Sequence, residues 1–244
     1  MAKLKTVIRL APLGAILALA CAPSALAAGG PAVTVRVEGK TKTLLAPKVV
    51  HVRAGWLTRD GAKKGECPAR SGAGALDQAT HHRWGGKFYT SFSDFLISSI
   101  LGESYGSSTT WYWDIFVDHV TATTGACEIK VHRGEQLLFA GVRVRDSADY
   151  PLDLKVSSRH VSAGQTVTVT VEYWDAKGKG RPLAGALVRG AGAKALRTDA
   201  HGVVRFKAGA PGALVLTADH AEVHKGEHWL GYVRSAPVRV RVSP

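Results

Sequence analysis

Cysteine is scarce in this chain, with three in 244 residues. One of them, Cys21, sits inside the N-terminal segment, which leaves Cys67 and Cys127. No paired-cysteine zinc spacing is present, and neither is a Gly-x-Ser-x-Gly elbow, a phosphate-cradling glycine loop or a His-Glu-x-x-His helix. Scattered Ser, His and Asp residues would permit a triad on paper in any chain of this length, so they carry no weight. The reading is a protein that is not an enzyme, with no catalytic residues, no metal site and no cofactor. Long apolar runs are missing too. The longest, residues 10–22, is broken by Pro12 and Gly14 and falls short of the ~20 residues a spanning helix needs, so no transmembrane segment is expected.

Lys3, Lys5 and Arg9 precede that run, and Ala25-Leu26-Ala27 follows it as a small-x-small cleavage site. Residues 1–27 therefore read as a signal peptide. Two alternatives stay open, an uncleaved anchor and lipidation at Cys21, although Ala18-Leu19-Ala20 lacks the usual leucine three residues before such a cysteine. The expected location is secreted, extracellular or cell-wall associated. Acidic residues are also few: 19 against 32 Lys and Arg, a net charge of +13, which becomes +10 once the three basic leader residues are gone. Residues 28–149 hold 15 basic and 12 acidic residues, and residues 150–244 hold 14 and 7. An anionic cell-wall polymer, a polysaccharide or a lipid surface suits this excess. Nucleic acid does not, because the basic residues are dispersed without interleaved aromatics. A genome that prefers Arg at solvent-facing positions explains the charge equally well.

Period-two alternation dominates the chain. Val33, Val35 and Val37 point one way and Thr34, Arg36 and Glu38 the other. Residues 44–52 continue as a strand. One helix follows, capped by Ser71, with Ala73, Leu76 and Thr80 on one face and Gly85-Gly86 as its stop. Phe88, Tyr89 and Phe92 read as a loop before the apolar segment 95–101. Residues 111–117 form a strongly β-prone strand, and 127–131 and 136–144 two more. A boundary is expected where the polar run ending at Asp149 meets Pro151, with the domains at 28–147 and 150–244. Beyond it, residues 152–156, 167–173, 186–188, 203–206, 214–218, 230–233 and 238–242 give seven short strands, which suits an immunoglobulin-like β-sandwich. The fold class is thus α+β followed by all-β.

The first half resembles the transcobalamin-like C-terminal domain family. The pieces that carry the likeness lie in order: residues 33–37, Cys67 ahead of Gly72-Ala73-Gly74-Ala75-Leu76, Trp84, Ile100-Leu101-Gly102-Glu103, Trp113-Asp114-Ile115-Phe116-Val117, Gly125-Ala126-Cys127 and Gly134 to Phe139. The resemblance implies a small β-grasp-like α+β unit. The turn after Val117, often Asn-Gly in such domains, is Asp118-His119 here. Corrinoid binding is not implied, because the large helical domain that shares that task is absent and no residue matches a corrinoid contact. The second half resembles bacterial immunoglobulin-like or carboxypeptidase-regulatory-like surface modules through residues 182–188, 197–206 and 212–218.

Ligand contact is expected on the aromatic strand. Trp111, Trp113, Ile115 and Val117 share the core face, and Tyr112, Asp114 and Phe116 share the other. Those three, with Trp84 and Phe88, are the candidate ligand-binding residues; cover by the helix or by the 88–92 loop is the competing reading. His220, His224 and His228 read as part of a polar loop in preference to a metal site, and His81-His82 as favourable charge at a helix C-terminus. The functional reading is a secreted or cell-surface binding module for an unknown small ligand or surface partner; a passive spacer or adhesion protein is the alternative. Pairing of the two remaining cysteines follows from their even count in an exported chain. Cys67→Ser should lower stability by roughly 4 kcal/mol for a loop of this length, read by chemical denaturation, and neither cysteine should alkylate before reduction.

Overall fold

Val33, Val35 and Val37 are all buried, as their alternation demands, yet Arg36 and Glu38 between and beyond them are buried as well. That second set reveals that the strand is covered on both faces. The computed structural model describes residues 29–106, 110–144, 147–225 and 228–244. Residues 1–28, with the expected signal peptide and Cys21, lie outside them. In chain order the first half runs β1 (Ala32–Glu38), β2 (Thr43–His51), α1 (Gly72–Ala79), β3 (Trp84–Tyr89), β4 (Asp94–Ile100), β5 (Glu103–Ser104), β6 (Trp111–Val117), β7 (Val120–Thr121) and β8 (Gln136–Arg143). The second half runs β9 (Ser147–Val156), β10 (His160–Ser162), β11 (Thr166–Trp174), β12 (Gly180–Pro182), β13 (Leu187–Arg189), β14 (Leu196–Arg197), β15 (Val203–Lys207), β16 (Gly212–Asp219), β17 (Val223–Lys225), β18 (His228–Val233) and β19 (Val238–Ser243). Among the described residues the fold is mostly β, with one short helix.

Four layers result. A five-stranded sheet is ordered β2-β1-β8-β6-β7, with β1 and β8 parallel at its centre. The helix and the small β3-β4-β5 sheet cover one face of it, enclosing Leu76, Trp84, Phe95, Ile100, Leu137 and Phe139. In the second half, one sheet ordered β12-β11-β9-β18-β17, with β15 also paired to β11, faces another ordered β10-β19-β16-β13-β14. Leu152, Leu154, Val167, Val169, Val171, Leu216 and Val240 fill this β-sandwich. Between the two halves, Phe116, Leu138, Ala140 and Val142 meet Val233. Side chains alternate across a strand. Leu137 and Phe139 therefore serve the first core while Leu138 and Ala140 serve the seam, and Tyr232 serves the sandwich while Val233 serves the seam.

Several sequence expectations change in physical detail. The helix is capped as expected, Gly74 N–H donating to Ser71 Oγ at 3.2 Å, but it stops at Ala79. His81 and His82 end it by adopting left-handed backbone, φ 52° and 62°. Gly85-Gly86 lie instead in β3, where Gly86 lets the chain pass close to Leu96 and Ile97. Phe88 and Tyr89 belong to that strand and not to a loop. Residues 127–131 form no strand; they make turns, with one isolated bridge from Lys130 to Ser71. The disulfide joins Cys67 to Cys127 with Cα atoms 5.1 Å apart. It secures the loop whose Ala126 carbonyl accepts Ala73 N–H at 2.8 Å, beside the start of the helix. The expected boundary residues 147–151 form the first half of β9, hydrogen-bonded in parallel to β18. All seven strands expected in the second half are present, joined by the short β10, β12, β14 and β17.

The seam is apolar at its centre and rests on a fully buried ring, Phe116. Phe116→Ala should cost about 3–5 kcal/mol in a urea titration, as truncation of a buried Phe does. Phe92→Ala, at a position 66% exposed, should stay within about 0.5 kcal/mol of the parent.

Candidate ligand cleft at the seam

Beside the apolar patch the two sheets are joined by charge. Glu38, 1% exposed, accepts from Arg36 Nη1 at 3.2 Å, from Arg234 Nη1 of the other half at 3.1 Å and from Thr43 Oγ1 at 2.9 Å. Arg36 Nη1 also donates to the Arg234 carbonyl at 2.8 Å. Burial raises the Glu38 pKa and lowers that of Arg36, and their mutual attraction opposes both shifts. On the far side, Asp118 and His119 take left-handed backbone, φ 45° and 72°, in the tight β6–β7 turn. Asp118 Oδ1 accepts Gln136 N–H at 2.8 Å, and the His119 ring stacks on Trp174 at 4.3 Å with planes 4° apart. Burial lowers the His119 pKa.

Where the sheets diverge past Glu38, a cleft of about 340 Å³ opens. Its first wall comes from the ends of β1, β6 and β8. Lys40 N–H donates to Glu103 Oε1 at 2.6 Å and to the Tyr105 hydroxyl at 3.0 Å, which fixes the turn after β1. Lys40 Nζ then lies 4.9 Å from the centre of the Trp111 ring, and the Arg143 guanidinium, opposite Trp111 in register, 5.9 Å from it. Gly141 is required here, since a Cβ would run into the Tyr105 ring. The second wall comes from β9, β18, the end of β16 and the loop that follows it, and carries Asp149, Asp219, Glu222, His220 and Tyr232. His220 meets Tyr232 edge to face at 4.8 Å, and Arg189 Nε holds Asp219 at 2.6 Å. Arg143 reaches Glu222 across the mouth at 3.6 Å. Asp149 also lines a smaller cleft of about 140 Å³ together with Tyr112, Asp114, Tyr150 and Trp174. The Trp174 and Trp113 indole nitrogens are buried without a hydrogen-bond partner among the described residues.

No family model matches the chain, and no curated protein matches it. Seven solved chains do. One is the D0-D1 domain of intimin, at 13% identity, covering 60% of this chain and 88% of that one with a TM-score of 0.24. A score that low carries no argument about fold or function.

The five candidate ligand-binding residues part company. Tyr112, 42% exposed, and Asp114, half-buried, line the smaller cleft. Phe116 is no platform, because the second half covers it, in place of the helix or loop expected to compete for that role. Trp84 and Phe88 pack edge-on against Phe95 at 5.0 and 5.2 Å inside the first core and reach no ligand. Trp111, assigned by alternation to the core, lies past its end and lines the larger cleft. Lys40, Arg143, Asp149, Tyr232 and Trp174 were missed, since nothing local marks residues that meet only through the seam. No three His, Cys, Asp or Glu side chains gather as a metal site among the described residues; the side chains of His224 and His228 lie outside them. His82 Nδ1 instead pairs with Asp77 Oδ2 at 2.7 Å.

Burial raises the Asp114 pKa above its ordinary value and, with Asp114 and Asp149 adding, pushes Tyr112 up to about 12. For a carboxyl raised on folding, stability is full below the unfolded pKa and is lost as pH rises through the folded one. Ionised Asp114 therefore costs stability at pH 7. Asp114→Asn should melt higher than the parent at pH 7, and the gap should close at pH 3, where both states of the parent carry the proton.

Proposed function

We propose that this chain is a secreted or cell-surface, non-catalytic binding module whose ligand site is the cleft between its two halves. One observation carries the reading: a concave site at an interface between two layered units, lined by Trp111 and Tyr232 and by a few convergent charged groups. The Cys67–Cys127 bridge is in keeping with an oxidising, extracytoplasmic compartment. The first half is taken as the β-grasp-like unit that the transcobalamin-like resemblance implies. The order β2-β1-β8-β6-β7, its parallel central pair and the helix across one face support this. The second half is taken as the immunoglobulin-like module. An anionic wall polymer would engage the net positive second half away from the cleft, whose own charges nearly balance.

A second reading, a rigid spacer, is favoured by the locked seam. One experiment separates the two. Thermal shift of the chain from residue 28 against a panel of amino acids, dipeptides, mono- and disaccharides should find at least one compound that raises the melting point. That shift should vanish in Trp111→Ala and persist in Phe92→Ala. A panel without any shift, or shifts indifferent to Trp111, would leave the spacer.

A further inference from the structure

The charges of the larger cleft are sorted by wall. Lys40 and Arg143 stand on the first-half wall beside Trp111, and Asp149, Asp219 and Glu222 on the second-half wall beside Tyr232. The two charged groups at the floor, Glu38 and Arg234, satisfy each other. The walls are close: Arg143 spans the mouth to Glu222 at 3.6 Å, so one small molecule touches both. Resting on the reading of this cleft as the ligand site, we propose that it recognises a compact zwitterion, its anionic end toward Lys40 and Arg143 and its ammonium end toward Asp149, Asp219 and Glu222.

Elimination narrows the class. A polyanion meets three carboxylates on one side, and a polycation meets two cations on the other; like charges at such range repel. A neutral sugar gains from neither wall's sign. A zwitterion aligned across the cleft gains from both, because the field runs from the basic to the acidic wall in a recess where solvent screening is reduced. The aromatic rings add to this. Trp111 already draws two cations over its ring, Lys40 at 4.9 Å and Arg143 at 5.9 Å from its centre, and Tyr232 is placed on the acidic side, where an ammonium arrives. Short peptides with free termini, free amino acids and zwitterionic lipid headgroups share this chemistry.

The test uses the chain from residue 28, with the Trp111 indole resonance and the melting point as readouts. Alanyl-alanine, alanine and phosphocholine are titrated beside N-acetyl-alanyl-alanine, which lacks the ammonium, alanyl-alanine amide, which lacks the carboxylate, and a neutral disaccharide. At least one zwitterion should shift Trp111 and raise the melting point, with each singly charged analogue of the dipeptide at least tenfold weaker than alanyl-alanine. Which zwitterion responds identifies the source. Lys40→Gln and Asp149→Asn should each weaken binding about tenfold while leaving the melting point of the free protein within a few degrees. Equal binding by the blocked analogues, or equal binding by both variants, overturns the proposal. A disaccharide that shifts Trp111 while every zwitterion is silent also overturns it and leaves the binding-module reading intact; silence from all six compounds removes both.

Discussion

Phe116, Leu138, Ala140 and Val142 form an apolar strip on the side of the first sheet that faces away from its own core, and only the second half covers it. Exposed, such a strip would be costly and adhesive. Covered by Val233 of β18, it joins the two halves. The strip alone would let the sheets slide, since apolar contact has no direction. Glu38 removes that freedom. A buried carboxylate must keep its counter-charges, and these come from Arg36 on its own strand and from Arg234 across the seam. Whether such a buried cluster adds net stability is a separate matter, because desolvation offsets much of the attraction. What it does is favour the alignment in which Arg234 reaches Glu38 and the Arg234 carbonyl accepts Arg36.

The cleft follows from that alignment. Lys40 lies two residues beyond Glu38, and Arg143 one residue beyond the last apolar seam position, Val142. Both walls therefore begin where the seam ends, and their spacing is set by Glu38 at the floor and by Phe116 within the seam. Tyr105 and Glu103 add the local support that holds the Lys40 turn. The His119–Trp174 stack closes the opposite margin. The seam thus has a fixed charge at one side, a stacked ring at the other and an apolar centre, and the clefts are the gaps left at its rim.

Much of this was legible in the residues. The valine alternation of β1, the aromatic β6, the Ser71 cap, the disulfide and seven of the eleven strands of the second half could be read from pattern and spacing. What could not be read was the mutual cover of the halves, although a signal was present. Leu137 to Val142 is nearly continuous in apolar residues, and a strand apolar on both faces is buried on both. Alternation within residues 111–117 alone leaves Phe116 on an apparent outer surface. The polar stretch before Pro151 looked like a linker because polarity usually marks one; in β9 those same residues pair with β18 and supply Asp149 to both clefts. Trp84 and Phe88 were misjudged for a related reason. Two glycines in front of Phe88 resemble a helix stop, but here they let β3 lie close to β4.

A locked seam has a consequence for binding energetics. Two domains on a flexible tether must lose relative freedom when a ligand bridges them, and that loss is subtracted from the contact energy. Here the alignment is already set by Phe116, Glu38 and Arg234 on folding, so a ligand spanning the walls meets a site that does not have to close. The affinity available is then limited by desolvation of the wall charges, several of which are already engaged, as Asp219 is with Arg189 and Arg143 with Glu222. A ligand must replace or extend those pairs and not merely add to them. That favours weak, reversible and charge-selective recognition over tight capture. It also reconciles the two functional readings, because the same rigidity that would suit a spacer is what pre-forms the cleft.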